Sequence, residues 1–229
     1  MDKRIVFVHG LGGNKDTWGN FENFLQADPD IHVKTAFWDY RTCGMGIKLS
    51  HLFKSEYQGV RDLAESFKAY IDEVHFDADE IILVGHSLGG LIIRQYLLNE
   101  ALNNSNKKIC QVVLYAVPNY GSQLASVSKV ISLWSWKSHH LWDLGLRSSF
   151  LENLNRAWKI ANLEDIIEFT VVVAGDDKIV TIESAEGTFK HLNIIKISGV
   201  GHLDICKPSS SLSQSYTILK NVISKNDPC

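Results

Sequence analysis

A single serine lies between two glycines directly after an apolar run of this 229-residue chain. The stretch GHSLG, residues 85–89, follows IILV and sets Ser87 in the pattern G-x-S-x-G. Where this pattern joins a strand to a helix, the serine sits in a strained turn and the glycines let strand and helix approach closely. The first amides of the helix and the positive end of its dipole then face developing negative charge. Ser87 is therefore a candidate nucleophile, and a plain glycine-rich turn is the alternative.

A serine nucleophile also needs a base and an acid that orients the base. The neighbouring His86 is not interpreted as the base, because an adjacent ring cannot easily reach the serine oxygen from the required side. Two later loops carry better candidates: AGDDKIV contains Asp176 and Asp177, and SGVGHLDICKP contains His202. The spacing of these residues does not choose between the two aspartates. His202 is the candidate base.

Donors for a tetrahedral oxyanion are available in the glycine-rich stretch HGLGG, residues 9–13. A loop here can turn the backbone amide of Leu11 towards Ser87, where it would act together with the amide of Leu88. A phosphate-binding loop is the other explanation for these glycines. It is excluded because GLGGNKDT lacks the GxxxxGK[ST] spacing, and no third glycine completes GxGxxG.

Short β-branched runs alternate with longer helical patterns along the chain, which predicts a mostly parallel sheet of about six strands with helices on both faces. Apolar residues of the segment 55–74 recur at three- and four-residue steps, as in an amphipathic helix. The stretch LIIRQYLLNEAL, which follows the elbow, is apolar nearly all round and predicts a buried helix. A closing helix is predicted in SSLSQSYTILKNVI, with serines that accept from its first amides. The candidate strands are residues 5–8, 32–37, 81–84, 112–116, 169–174 and 193–197.

Length and composition predict one domain, residues 1–229, because a chain that is 45% hydrophobic can bury one sizeable core at this length. The net charge of −3 and the scattered basic residues give no support for a nucleic-acid partner. No apolar run reaches transmembrane length, and the first residues do not resemble a signal peptide, so a soluble cytoplasmic protein is expected. The four cysteines lie far apart without CxxC spacing, which predicts buried or incidental thiols and neither a zinc site nor a redox pair.

Taken together, these motifs resemble the α/β-hydrolases, and more narrowly the lipase-like serine esterases that include the serine-active-site-containing proteins and the GPI inositol-deacylases. The order serine, acid, histidine is that of α/β-hydrolases. The likeness covers nearly the whole chain, and it implies that Ser87 is the nucleophile, Asp177 the acid and His202 the base, with oxyanion amides from Leu11 and Leu88. The stretches that carry the resemblance are FVHGLGGNKDTW, VGHSLGGLIIRQYL, AVPNYGSQLA, GDDKIVTIESAEG and GHLDICKP.

The chemistry implied is cleavage of carboxylic esters, lipid-like ones included, through an acyl-enzyme, and it needs no metal and no organic cofactor. The expected partner is a small-molecule or lipid ester, and peripheral contact with a membrane is compatible with this. Two alternatives stay open. One is a non-catalytic binding or scaffold protein on the same fold, and the other is a thioesterase or amidase that uses the same triad.

A tryptophan-rich segment lies between the fourth predicted strand and the acid loop. In α/β-hydrolases an insertion at this point commonly forms a small helical cap over the nucleophile, here residues 122–160. Trp134 and Trp142 are candidates to line an acyl pocket in this cap. The alternative is that the tryptophans pack the segment onto the sheet. The first interpretation predicts a preference for hydrophobic acyl groups over acetate.

Overall fold

Six strands form one sheet in the computed structural model, which describes residues 2–40, 58–102, 108–120, 149–192 and 194–225. Every neighbouring pair of strands is parallel. The strands are β1 (Lys3–Val8), β2 (Lys34–Trp38), β3 (Glu80–His86), β4 (Ile109–Tyr115), β5 (Glu168–Ala174) and β6 (Ile194–Ile197), arranged in the order β2-β1-β3-β4-β5-β6. The predicted α/β class, with a parallel sheet of about six strands and helices, is confirmed.

Six α-helices connect or follow these strands in the described part of the chain. Short 3-10 helices occur at Lys15–Trp18, Leu163–Asp165, Gly187–Phe189 and Asp204–Cys206. The α-helices are α1 (Phe21–Ala27), α2 (Gln58–Val74), α3 (Leu88–Leu102), α4 (Ser149–Ala161), α5 (Ile182–Glu186) and α6 (Gln214–Ile223).

Helices cover both faces of the sheet, as the alternating pattern predicts. Side chains of successive strand residues point to opposite faces, and in β1 Val6 and Val8 join the core cluster that contains α2, α3 and α4. Ile5 and Phe7 join the second cluster, which contains α1 and α6. Strands β3 and β4 are buried over their whole length. The two clusters therefore sandwich a sheet whose centre has no solvent-exposed face.

The helices at the centre follow their sequence patterns closely. Most residues of α3 are buried, as expected of a helix that is apolar nearly all round. Helix α2 buries the apolar face of its segment, including Val60, Phe67 and Ile71, whereas Val74 at its last residue is 48% exposed. The central strands extend further than predicted: β3 continues through Gly85 to His86, because Gly85 pairs with both β1 and β4.

The closing helix corrects one predicted detail. Ser213 is the residue before α6, but its side chain accepts no hydrogen bond from the first amides of the helix. Its hydroxyl instead accepts from the amides of Ser209 and Ser210, at 3.1 Å each. The serine cluster therefore orders the turn that leads into the helix. The predicted serine cap is wrong.

The segment predicted as a cap divides into two parts. Residues 121–148, with Trp134 and Trp142, lie outside the described residues. Residues 149–160 belong to α4, which buries Leu151, Leu154 and Trp158 in the core. This part of the segment is thus a helix packed on the sheet between β4 and β5, and Trp158 has the packing role that was the alternative for the tryptophans.

The two cysteines in the described part of the chain are in different chemical states. Cys206 is a buried free thiol. Cys110, at the start of β4, is disulfide-bonded, so the prediction of incidental thiols is wrong at this position.

Candidate active site

The loops that carry the candidate residues meet at one edge of the sheet. The chain passes from β1 outward to β2 and returns to the other side of β1 as β3, so the strand order reverses between β1 and β3. Open α/β sheets bind ligands in the crevice beyond the carboxyl ends of the strands at such a reversal. Val8 pairs with Gly85 at the end of these two strands. The glycine-rich loop and the serine turn therefore start side by side.

Ser87 occupies a strained turn between β3 and α3. Its φ of 50° is left-handed, which is uncommon for a residue with a side chain. The Ser87 amide donates to the carbonyl of Tyr115, the last residue of β4, at 3.1 Å. The sheet therefore holds the backbone of Ser87 in place up to the point where the helix begins. Left-handed backbone at a non-glycine residue costs energy and is found at active sites.

Three glycines make this turn possible. An added Cβ at Gly85 would lie 2.8 Å from the Cα of Gly90, and one at Gly89 would lie 2.2 Å from the carbonyl oxygen of Val8. These two glycines are the ones that the sequence pattern indicates. The sequence pattern does not indicate Gly90, although an added Cβ there would lie 2.2 Å from the side chain of Val117. Helix α3 can therefore begin directly against the end of β1 and the segment that follows β4.

His202 and Asp177 form a buried hydrogen-bonded pair. Nδ1 of His202 lies 2.7 Å from Oδ2 of Asp177, and the two side chains are only 6% and 2% exposed. A carboxylate accepts, so Nδ1 carries the proton and Nε2 of the neutral ring is left as a base. The other carboxylate oxygen of Asp177 accepts from the amides of Ile179 and Val180, at 2.8 and 2.9 Å. The carboxylate is thus held by its own loop in the orientation that meets the imidazole.

The second aspartate of the loop is placed differently. Asp176 is exposed, and its backbone amide donates to the carbonyl of Val200 at 3.1 Å. This bond ties the acid loop to the loop that carries His202. The structure therefore brings Asp177, and not Asp176, to the histidine.

His86 lies between the serine turn and the histidine loop. Its Nε2 is 2.9 Å from the carbonyl oxygen of His202, and the centroids of the two rings are 4.8 Å apart. Complete burial lowers the pKa of His86 well below its usual value, with the nearby His202 acting in the same direction. The ring before Ser87 is thus neutral and in direct contact with the candidate base.

The glycine-rich loop approaches Ser87 closely enough to supply an oxyanion donor. A Cβ added at Gly10 would lie 3.0 Å from Cβ of Ser87. The carbonyl of Gly10 accepts from the amide of Gly13 at 3.1 Å and lies 2.7 Å from Nδ1 of His9. The Gly10 carbonyl and the Leu11 N–H belong to the same planar, trans peptide unit and point in opposite directions. Holding the carbonyl in place therefore fixes the direction of the Leu11 N–H. Leu88, the first residue of α3, has an amide without an intrahelical acceptor.

His9 itself is anchored by the residues that follow β2. The amide of Tyr40 donates to Nε2 of His9 at 3.3 Å, the Tyr40 hydroxyl donates to the His9 carbonyl at 2.8 Å, and the two rings stack at 4.3 Å. Burial lowers the pKa of His9, which favours the neutral ring with its proton on Nδ1. Oδ1 of Asp39 lies 3.2 Å from the same Nε2, and the Asp39 side chain is 64% exposed. Sequence patterns do not indicate these contacts, because they join residues 30 and 31 positions apart.

A buried arginine on α3 joins the segments around the turn. Arg94 is fully buried and donates to Oδ1 of Asn119 at 3.1 Å and to Oδ1 of Asn155 at 2.8 Å. Its guanidinium lies over the rings of Trp158 and Phe189, 4.8 and 5.1 Å from their centroids. Burial lowers the pKa of Arg94 to about 9. The side chain connects the helix that follows Ser87 with the segment after β4 and with α4.

The structure thus brings the segments of five predicted positions to the same edge of the sheet: Ser87 and Leu88 at the turn, the Asp177–His202 pair, and Leu11 in the glycine-rich loop. Trp134 and Trp142 lie outside the described residues. Among the residues described, no group of three or more histidine, cysteine, aspartate or glutamate side chains could hold a metal ion. No helix in the same part of the chain is long and apolar enough to span a membrane.

A sequence profile described as the alpha/beta hydrolase family matches residues 5–206. The chain therefore belongs to the alpha/beta hydrolase family, as the motifs predict. Protein SERAC1 of Bos taurus is 26% identical to this chain over an alignment that covers 89% of the chain. Protein SERAC1 of Danio rerio is 27% identical over an alignment that covers 56% of it. The chain spans 36% of the length of the bovine protein and 21% of that of the zebrafish protein.

Solved structures with the same fold include enzymes of several kinds. The monoacylglycerol lipase of Paleococcus ferrophilus has a TM-score of 0.56 at 21% identity, over 96% of this chain and 94% of that chain. The RedJ thioesterase of Streptomyces coelicolor has a TM-score of 0.58 at 16% identity, over 96% of this chain and 85% of that chain. These likenesses show the fold.

The contact between α3 and β1 yields the first prediction. We expect Gly89→Ala to lower the free energy of unfolding by about 3 kcal/mol, because the new methyl group would overlap backbone oxygens of β1 that a rotamer change cannot move. Urea unfolding followed by circular dichroism measures this. The control is Gly201→Ala, whose Cβ would meet only a carboxylate oxygen of Asp204 at 3.4 Å. Equal unfolding midpoints for the two variants would contradict the prediction.

Proposed function

We propose that this protein is a serine hydrolase that cleaves carboxylic esters, with Ser87 as nucleophile, His202 as base and Asp177 as the acid that orients the base. The observation that carries the proposal is the buried His202–Asp177 hydrogen bond of 2.7 Å beside the strained turn of Ser87. Membership of the alpha/beta hydrolase family supports hydrolysis as the reaction class.

The reaction proceeds in two acyl transfers. Nε2 of His202 takes the proton of the Ser87 hydroxyl while Oγ attacks the ester carbonyl, and the same nitrogen then protonates the departing alcohol. Water attacks the acyl-enzyme with His202 again as base, which releases the acid and restores Ser87. Asp177 holds the ring in the required tautomer and stabilises the imidazolium. No metal or organic cofactor takes part.

Leu11 and Leu88 supply the oxyanion donors in this mechanism. The positive end of the α3 dipole adds to the stabilisation of negative charge at the same place. The approach of Gly10 to Ser87 and the fixed direction of the Leu11 amide support the assignment. Because both donors are backbone amides held by the fold, they need no rearrangement when the charge develops.

A lipid-like acyl ester is the substrate class we propose. Trp134 and Trp142 are assigned to the acyl pocket on the basis of the sequence alone. The likeness to a monoacylglycerol lipase is compatible with an apolar acyl chain. Thioester cleavage is the second candidate reaction, because the same triad would serve it and one of the structures with this fold is a thioesterase.

Removal of the nucleophile is the direct test of the mechanism. We expect Ser87→Ala to lower kcat by on the order of a million-fold, because the acyl-enzyme can no longer form. Hydrolysis of p-nitrophenyl butyrate and labelling by a fluorophosphonate probe are the measurements. The unfolding midpoint should stay close to that of the wild type. Unchanged labelling of the variant would reject Ser87, and a wild-type protein with neither activity nor labelling would favour the scaffold alternative.

The two aspartates of the acid loop form a matched pair for a second test. We expect Asp177→Asn to lower kcat by about ten-thousand-fold, because an amide favours the wrong imidazole tautomer and cannot neutralise the imidazolium. Asp176→Asn should keep activity within about threefold of the wild type, since an exposed charge away from the histidine contributes little. Steady-state kinetics of both variants with one ester checks this. A crippled Asp176→Asn beside an active Asp177→Asn would reverse the assignment.

A series of acyl chains tests the substrate class. We expect kcat/KM to rise from the acetate to the butyrate and octanoate esters of one alcohol. Each buried methylene contributes about 0.8 kcal/mol, so the four carbons between butyrate and octanoate correspond to about a hundred-fold. Ser87→Ala gives the background rate. A flat or falling series would contradict the lipid-like pocket, and a matched thioester series that is faster throughout would favour the thioesterase.

A further inference from the structure

The ring of His86 lies where three segments of the site meet: the serine turn, the glycine-rich loop and the loop of His202. Its Nε2 lies 2.9 Å from the carbonyl oxygen of His202, so Nε2 carries the proton and donates. The backbone of Gly10 packs over the other side of the ring, where an added Cβ would lie 2.9 Å from Nδ1. The ring of Trp18 lies nearly perpendicular to that of His86, at a centroid distance of 6.4 Å. His86 thus touches the oxyanion loop and the base loop at once.

We propose that His86 is a positioning residue, whose hydrogen bond to the His202 carbonyl fixes the base relative to the nucleophile. This inference rests on the proposed function of Ser87 and His202. His86 precedes Ser87 in the chain, so the bond joins nucleophile and base through a single turn. Asp177 holds the ring of His202 from the acid loop, and His86 holds the backbone of His202 from the end of β3.

The polar atoms of His86 favour a functional role over simple packing. Nδ1 is buried, and no residue of the described segments offers it a hydrogen-bond partner. Burying a polar atom without a partner costs free energy that an apolar side chain would avoid. The ring also stays neutral, because burial lowers its pKa well below the usual value. A neutral donor supports the base without repelling the imidazolium that forms on His202 during each acyl transfer.

The test compares two side chains of similar reach at position 86. His86→Gln keeps an amide N–H near the position of Nε2, whereas His86→Met has no donor. We expect His86→Met to lower kcat for p-nitrophenyl butyrate by about tenfold with KM within about twofold, because one hydrogen bond contributes about that much. His86→Gln should recover kcat to within about threefold of the wild type. If the Met variant does not fold, His86→Asn, whose amide is too short to reach His202, replaces it with the same expectation.

A second readout does not depend on activity. Nδ1–H of His202, bonded to Asp177, is expected to give a downfield proton NMR signal that is assigned by its loss in Asp177→Asn. His86→Met should broaden or shift this signal, and His86→Gln should preserve it. His75→Met removes a different buried histidine, at the opposite end of the strands, and should leave both the signal and kcat unchanged.

The outcomes separate the inference from the proposed function. Equal kcat values and unchanged signals in the Met and Gln variants would overturn the positioning role while the hydrolase activity stands. A kcat that falls in proportion to the loss of unfolding free energy in all variants, His75→Met included, would also overturn it. Absence of ester hydrolysis and of probe labelling in the wild-type protein would instead reject the proposed function, and the inference with it.

Discussion

The close approach of helix α3 to the end of strand β1 is the constraint on which the site depends. An added Cβ at Gly89 would lie 2.2 and 2.5 Å from the carbonyl oxygens of Val8 and His9, so no other residue fits without moving the strand. This contact makes α3 begin beside the loop that follows β1. The left-handed backbone of Ser87 is the consequence of turning from strand to helix in so little space.

A few polar contacts hold the loops of the candidate site in place on this packed framework. The carbonyls of Gly10 and His202 each lie close to a nitrogen of a buried histidine, His9 and His86. Both histidines have pKa values lowered mainly by burial, so both rings are neutral donors near physiological pH. The carboxylate of Asp177 supplies the negative charge in contact with His202. The loops are therefore fixed by neutral groups, and the carboxylate lies against the ring of His202.

The fold and the loops of the candidate site could be predicted from the sequence because their signals are local. Strand alternation, the two glycines around Ser87 and the glycine-rich start of the first loop each lie within a few consecutive residues. The choice of Asp177 over Asp176 required the family resemblance, since both aspartates lie in the same loop. The structure supplies the physical reason: the Asp177 carboxylate accepts from amides two and three residues further on, which turns it inward. No residue pattern expresses that turn.

The contacts that could not be predicted join residues far apart in the chain. Arg94 lies in an apolar helix and binds Asn119 and Asn155, 25 and 61 positions away. Neither distance has a periodic signature, and a single arginine in such a helix would ordinarily be assigned to its surface. The packing of residues 149–160 could not be predicted for the same reason. Tryptophan density indicates burial but not the surface against which the side chain is buried, and Trp158 packs on Phe169 and Phe189.

Buried polar atoms without hydrogen-bond partners and left-handed backbone both cost free energy, and in this fold they occur close together. Nδ1 of His86 and Nε of Arg94 are both buried without a hydrogen-bond partner in the described part of the chain, and Ser87 between them has left-handed backbone. All three lie on the continuous segment of β3, the turn and α3. This segment also contains one of the two strands that are buried over their whole length, and α3, of which most residues are buried. Because burial of apolar side chains is the main source of stability, the core surrounding α3 can offset this strain locally. A turn of this kind would be much harder to maintain at the less buried edge strands β2 and β6.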